Sequence, residues 1–228
     1  MTANPQSKLR LEPGELEHLA IFPLPSVVLL PHGLLPLHIF EPRYRAMTKE
    51  ALDRKLPIAM AMPIEGELDE RGRPKIRGVA GVGKIVRHEP LPDGRSNVLL
   101  LGLGRVRIER ELEVETPFRQ VQATLTRSRV DDVSRLDNLM MSVRALALAI
   151  RAVEPKVATE LERMMDPAMG KEVVVDRIAS VFLPNPSQRQ TLLEEPVVEK
   201  RLAIVVDRLA QYLVQLRTER GGGDGLLH

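Results

Sequence analysis

Cysteine is absent from the chain, which removes disulfides, cysteine-based zinc sites and thiol catalysis together. Tryptophan is absent as well, and aromatic residues make up only 3% of the sequence. The core must therefore be aliphatic, and few rings are available to stack on nucleobases. Neither sign of charge dominates: 33 Lys and Arg stand against 31 Asp and Glu, a net charge of +2. The two signs are interspersed, so no strong long-range field steers a polyanion toward the surface. No apolar run is long enough to cross a bilayer; the longest, residues 27–37, is broken by Pro31, His32, Gly33 and Pro36. Residues 1–17 are polar and lack the apolar centre of a secretory leader. These absences together lead us to expect a soluble, cytoplasmic chain with no membrane partner.

What is present is ample material for a core. With 228 residues, 43% of them hydrophobic, the chain can form one large domain or two small ones and bury roughly 70% of its unfolded surface. The two halves carry different periodicities. Residues 18–130 show short apolar runs punctuated by Pro and Gly, the pattern of strands and turns. Extended segments are expected at 19–23 and 27–30, a buried strand at 58–62, and further strands at 78–88 and 98–101. Val106 and Ile108 alternate inward against outward Arg105, Arg107 and Glu109, and Val121, Ala123 and Leu125 share one face. Pro42 is placed to start a helix over 43–54. Pro92-Asp93-Gly94 marks a tight turn, and the charged stretch 65–75 reads as a mobile loop. Several short strands with one early helix predict a small curled barrel or half-barrel.

Residues 131–220 instead repeat their apolar residues every three or four positions. A long helix over 132–153 places Leu136, Leu139, Met140, Val143, Leu146, Ala147 and Ile150 on one broad face. Shorter helices follow at 156–165 and 172–182, another begins at Asn185-Pro186, and a last one, restarted by Pro196, runs to about 220. The expected organisation is thus a flexible segment at 1–17, a β-rich subdomain at 18–130, a helical subdomain at 131–220 and a disordered tail at 221–228.

Catalytic and cofactor chemistry finds little purchase. Gly78-Val-Ala-Gly81-Val-Gly83-Lys84 has the G-x-x-x-x-G-K spacing of a phosphate-binding loop, but the Ser or Thr that should hold magnesium is Ile85. The residues that follow are β-branched rather than helix-opening, so these glycines are expected to serve close backbone packing in a curved sheet. The second glycine pair, Gly102 and Gly104, has Arg107 where a dinucleotide fingerprint needs its third glycine. His32 and His38 share no helical face, and no acidic partner stands at ligand spacing, so no metal site is expected. No serine lies in a nucleophile elbow or an S-x-x-K motif. The carboxylate pairs Asp131-Asp132 and Glu194-Glu195 fall at helix boundaries, where they complement helix starts. Met140, Met141, Met164, Met165 and Met169 fit helical core positions, with an adaptable binding surface as the alternative. No cofactor is expected.

Three blocks resemble the N-terminal, substrate-binding domain of Lon proteases. The first is Phe22-Pro23-Leu24 through Pro31, continuing into Leu35-Pro36-Leu37-His38-Ile39-Phe40-Glu41-Pro42-Arg43-Tyr44. The second is Gly78 through Ile85-Val86, then Leu91-Pro92-Asp93-Gly94, then Leu101 through Ile108. The third runs from Ile178-Ala179-Ser180 to Arg201-Leu202. Together they span about residues 18–217. The resemblance implies an α+β fold, a PUA-like β-barrel followed by an α-helical bundle, with a short first strand and a proline-punctuated second. It implies a non-enzymatic role, recognising unfolded, misfolded or tagged protein segments or acting as adaptor to an ATP-dependent protease. Full-length members continue into an ATPase module and a Ser–Lys protease module; the sequence stops at His228, so no proteolysis by this chain is expected.

The groove around Phe40, Arg43 and Tyr44 is the candidate peptide site, since Tyr and Arg make good interface anchors. The other reading of the same residues makes Phe40 and Tyr44 core and Arg43 half of a structural ion pair. The alternative function is RNA binding through the PUA-like barrel, against which stand the small net charge and the scarcity of aromatics.

Overall fold

The computed structural model describes residues 9–221. They form two units: one runs up to Arg127 and takes in Arg189–Glu194, and the other comprises 128–188 and the chain from Glu195 onward. The first division falls at 127/128, three residues before the expected boundary. Residues 222–228 and 1–8, within the segments expected to be disordered or flexible, lie outside the described residues. Residues 9–17 are packed rather than free. A 3-10 helix, Pro13–Leu16, buries Leu16, while Glu15 Oε1 accepts a hydrogen bond from Lys84 Nζ at 2.6 Å.

The first unit is built on β1 (Leu19–Pro23), β2 (Leu34–Ile39), α1 (Pro42–Arg54), β3 (Ile58–Ala61), β4 (Pro63–Leu68), β5 (Pro74–Ile76), β6 (Val79–Pro90), β7 (Ser96–Glu111) and β8 (Gln120–Thr126). Strand order in the main sheet is β2-β7-β6-β3-β1-β8, and β7 also pairs with β8. That extra pairing closes β7, β6, β3, β1 and β8 into a ring. The length of β7 makes this possible: Ser96–Leu101 pairs with β2, while Arg105–Glu111 pairs with β8. The expected strand at 98–101 and the alternating segment at 105–110 are therefore one strand. β2 is left on the outside of the ring, and Pro36 suits it to that edge because it has no N–H to offer a further strand.

Closure requires backbone to approach backbone, and Gly81 and Gly83 of the would-be phosphate loop, with Gly102 of the second pair, are where it does so. A Cβ on Gly81 would stand 1.7 Å from the Leu29 carbonyl oxygen, and one on Gly102 would stand 2.1 Å from that of Leu30. Residues 28–30 are buried, yet 27–30 join no strand, in contrast to the extended segment expected there. Their carbonyls lie against glycine rather than in a ladder. The strand of that region is β2, four residues further on.

The strands send alternate side chains to two cores. Phe22, Ile58, Met60, Val98 and Leu100 pack with Tyr44 and Met47 of α1, whereas Leu19, Ile21, Ala59, Ala61, Val82, Val106 and Val121 form a second cluster with Leu16. Period-two alternation produces this division. Two residues depart from the expected faces. Arg105 is buried, only 2% exposed, although alternation placed it outward. Leu125 is 44% exposed, although it was expected to share the buried face of Val121 and Ala123.

The second unit comprises α2 (Val133–Arg151), α3 (Pro155–Met164), α4 (Lys171–Phe182) and α6 (Val198–Gly221); α5 (Pro186–Glu194) passes from this unit back to the first. α2 packs on α3 and α6, and α4 packs on α6. Asp132 caps α2 by accepting a bond from the Arg135 N–H at 2.8 Å, the role expected of a carboxylate at a helix start. At the centre lies an ion pair removed from solvent: Arg201 Nε is 3.1 Å from Asp176 Oδ1, with the side chains 0% and 2% exposed. Arg201 also donates to the Glu195 carbonyl at 3.0 Å and to Ser128 Oγ at 3.1 Å. These bonds and the ion pair together are what keep a buried guanidinium tolerable.

Candidate functional site

The segment expected to be a mobile loop, 65–75, is instead most of a β-hairpin, β4 with β5, and it walls a cleft of the first unit. High charge disguised it. Asp69 Oδ1 accepts bonds from the backbone N–H of Arg71 at 3.0 Å and of Arg73 at 2.8 Å, closing the turn with a side chain. These bonds, that of Arg73 first, hold the Asp69 carboxyl below the usual carboxylate range. Arg73 then donates Nε to Asp69 Oδ2 at 2.9 Å and pairs with Glu111 at 2.8 Å. Glu111 also accepts from Arg119 Nε at 2.9 Å and Nη2 at 2.7 Å, and Arg119 Nη1 donates to the Pro74 carbonyl at 2.9 Å. One carboxylate thus ties the hairpin to the connection between β7 and β8.

The cleft behind this wall has a volume of about 520 Å³. Tyr44 and Phe118, both largely buried, contribute to its lining along with Pro23, Pro25, Ile64 and Val114. The Tyr44 ring lies 3.9 Å from that of Phe22, centroid to centroid. Burial, above all, raises the pKa of the Tyr44 phenol. Around the apolar floor stand four arginines, and each already has a carboxylate: Arg43 with Glu41 at 2.8 Å, Arg71 with Glu113, Arg73 with Asp69 and Glu111, Arg119 with Glu111. The site is polar at its edge, apolar at its base and internally neutralised.

Of the three residues expected at a peptide site, two line this cleft. Arg43 places its guanidinium carbon 4.6 Å from the centroid of the Tyr44 ring while half exposed and paired with Glu41. Phe40 is elsewhere: 58% exposed, it stacks on His38 at 6.1 Å and does not line the cleft. Arg43 forms the ion pair that the second reading gave it. Tyr44 belongs to the core and to the cleft floor at once, and Phe40 to neither. Sequence reasoning missed Ile64, Arg73, Phe118 and Arg119, which come from segments far apart in the chain.

The other candidate chemistries resolve structurally. Lys84, the would-be phosphate lysine, is 8% exposed, with Nζ bonded to Glu15 and to the Arg10 carbonyl at 3.0 Å. His38 Nδ1 lies 2.8 Å from Asn97 Oδ1. Among the described residues no three His, Cys, Asp or Glu gather as metal ligands, and no helix is long and apolar enough to cross a membrane.

The first unit is thus a closed barrel with an arginine-rimmed apolar cleft, and the second is built on four helices. Residues 18–211 match the model of the ATP-dependent protease La (Lon) substrate-binding domain, and the chain belongs to that family. It is 25% identical to the Lon protease of Escherichia coli K12 over 220 residues, which is 95% of this chain and 27% of the relative. To the Lon protease of Trichlorobacter lovleyi it is 32% identical over 203 residues, 86% of this chain and 24% of the relative. The chain thus spans about a quarter of the length of these curated proteins. Among solved structures, the N-terminal domain of the Mycobacterium avium complex Lon protease superposes with a TM-score of 0.65 at 16% identity, covering 86% of this chain and all of that one. A Lon N-terminal domain protein from Xanthomonas campestris gives 0.59 at 21% identity, covering 83% and 97%. At these identities the two likenesses establish the fold, and the α+β architecture agrees with the one the sequence implied.

Proposed function

We propose that the chain captures short, extended, apolar segments of unfolded protein in the cleft between the β4–β5 hairpin and the Tyr44–Phe118 floor, acting as a recognition factor or adaptor for an ATP-dependent protease in the cytoplasm. Membership of a substrate-binding family supports a recognition role, and the cleft supplies the ligand class. Its floor is apolar and its guanidinium groups are spoken for, so it suits neutral side chains and has no unpaired arginine for a phosphate. The internal pairing of Arg43, Arg71, Arg73 and Arg119 is the observation that carries this reading. It also weighs against the RNA alternative, because phosphate recognition depends on cations that can release their counterions.

Fluorescence anisotropy with labelled apolar peptides taken from a denatured protein tests both readings. Affinity should change little as salt rises from about 50 to about 200 mM. Ile64→Asp, which sets a bare charge in the cleft lining, should weaken binding roughly tenfold or more. No peptide binding at all would sink the proposal. Tight binding of single-stranded RNA that collapses with salt would replace it with the alternative.

A further inference from the structure

We propose that the outward face of α2 is a second docking surface, fitted to an acid-flanked amphipathic helix of a partner protein. The face is defined by helical spacing. Ser134, Asn138, Met141, Ala145 and Leu148 follow one another at intervals of three or four along α2, with Ala152 just beyond its end, and all are exposed. The opposite face of the same helix, Leu136, Met140, Val143, Ala147 and Ile150, is buried in the second unit. α2 is therefore apolar on two sides, and only one is covered. Leu148 is 69% exposed, the highest value among the large hydrophobic side chains of the described residues, and Met141 is 58% exposed. Folding of this unit does not require either to be apolar.

The face widens on one flank into a depression of about 360 Å³ lined by Met140, Met141, Met165 and Met169, with Val174 among them. Unbranched thioethers adapt to a ligand's shape better than branched side chains do. Alanine at 145 and 152 lets another backbone come close between Met141 and Leu148. Knobs alternating with small residues at this spacing are what a second helix packs against.

Charge decides the occupant. Along the flank that carries the depression stand Arg144 and Arg151, and Arg135 stands on the other. Two acidic residues line the depression, and both are engaged: Asp137 by Lys171, and Asp166 by the Ala168 N–H at 2.9 Å. Arg151 is paired with Glu162, whereas Arg144 has no partner among the described residues. Arg135, Arg144, Arg151 and Lys171 stand against Asp137, Glu162 and Asp166, so the rim carries one net positive charge, and its uncommitted Arg144 guanidinium is complementary to a glutamate or aspartate flanking an apolar seam. A second copy of the same chain would set its own Arg144 against this one, like charge against like.

The test uses the full chain and two synthetic amphipathic helices of identical Leu/Ala seam, one flanked by Glu and the other by Lys. The Glu peptide should bind, and its Lys twin should bind roughly tenfold more weakly. Arg144→Glu should invert that preference, and Leu148→Glu should abolish binding of the Glu peptide while circular dichroism stays unchanged. Binding of apolar client peptides in the barrel cleft should be the same in Leu148→Glu as in the parent, so the two sites can fail independently. Equal affinity for both helices, or affinity for neither, overturns the proposal. So does self-association in sedimentation that Leu148→Glu removes, for then a second copy covers the face.

Discussion

The two units of this molecule solve the problem of filling space by opposite means. In the barrel unit, backbone approaches backbone: the Leu29 and Leu30 carbonyls sit where a Cβ on Gly81 or Gly102 would be, and aromatic rings from β1 and α1 stack across one core. In the helical unit, side chains hold the backbones apart, and one fully enclosed contact is ionic, Arg201 with Asp176. The first arrangement has no room for one more carbon. The second has no tolerance for losing one charge.

Removing the carboxylate is the harsher insult. Asp176→Ala leaves the fully buried Arg201 charge without its counterion and should cost roughly 3–5 kcal/mol by urea denaturation, with the double variant Asp176→Ala/Arg201→Met recovering most of it. A loss below about 1 kcal/mol would show that the other bonds of Arg201 suffice, and would dissolve the contrast between the units. Gly81→Ala should cost about 3 kcal/mol, since its Cβ meets backbone that cannot step aside. Amide exchange should then show accelerated opening in β3, β6 and β7 while α2 and α6 keep their protection; uniform acceleration would mean that the units do not respond separately.

The mildest test is acid. Because the folded state holds the Asp69 carboxyl below its ordinary value, the stabilisation it lends the hairpin is complete above about pH 4 and fades as pH falls through the lowered value. Amide shifts of Arg71 and Arg73 should follow that carboxyl in a pH titration, while those of α6 remain still. An Asp69 that titrates in the ordinary carboxylate range would remove the reason given for the hairpin's order.

Legibility in the sequence followed the same division. Helices α1 to α6 begin within a residue or two of their expected starts because a single face repeats and Pro42 and Pro186 sit at first helical positions. Strands with clear alternation, β1 and β8, were equally plain. The hairpin was not, because β4 and β5 bury almost nothing and owe their order to charged side chains pairing with each other, which mimics a solvated loop. β2 was hidden for another reason: its Pro36 and His38 are signs of interruption in a central strand but permissible on an edge. Arg105 defied alternation altogether, for nothing in Arg105-Val106-Arg107-Ile108 distinguishes the buried arginine from the exposed one. As for the cleft, Arg43 and Tyr44 were visible through the family-like block they belong to. Their companions Phe118 and Arg119 lie some seventy-five residues away, and only barrel closure unites them.

The return of Arg189–Glu194 to the barrel unit has a consequence for how this domain can be inherited. The Gln190 side-chain amide donates to the Val79 carbonyl at 2.9 Å, beside the start of β6, yet it is encoded after three helices of the other unit. The chain crosses between the units at 127/128, again at 188/189, and again at 194/195. No single cut in the gene separates them cleanly, so recombination can move this module only as a whole.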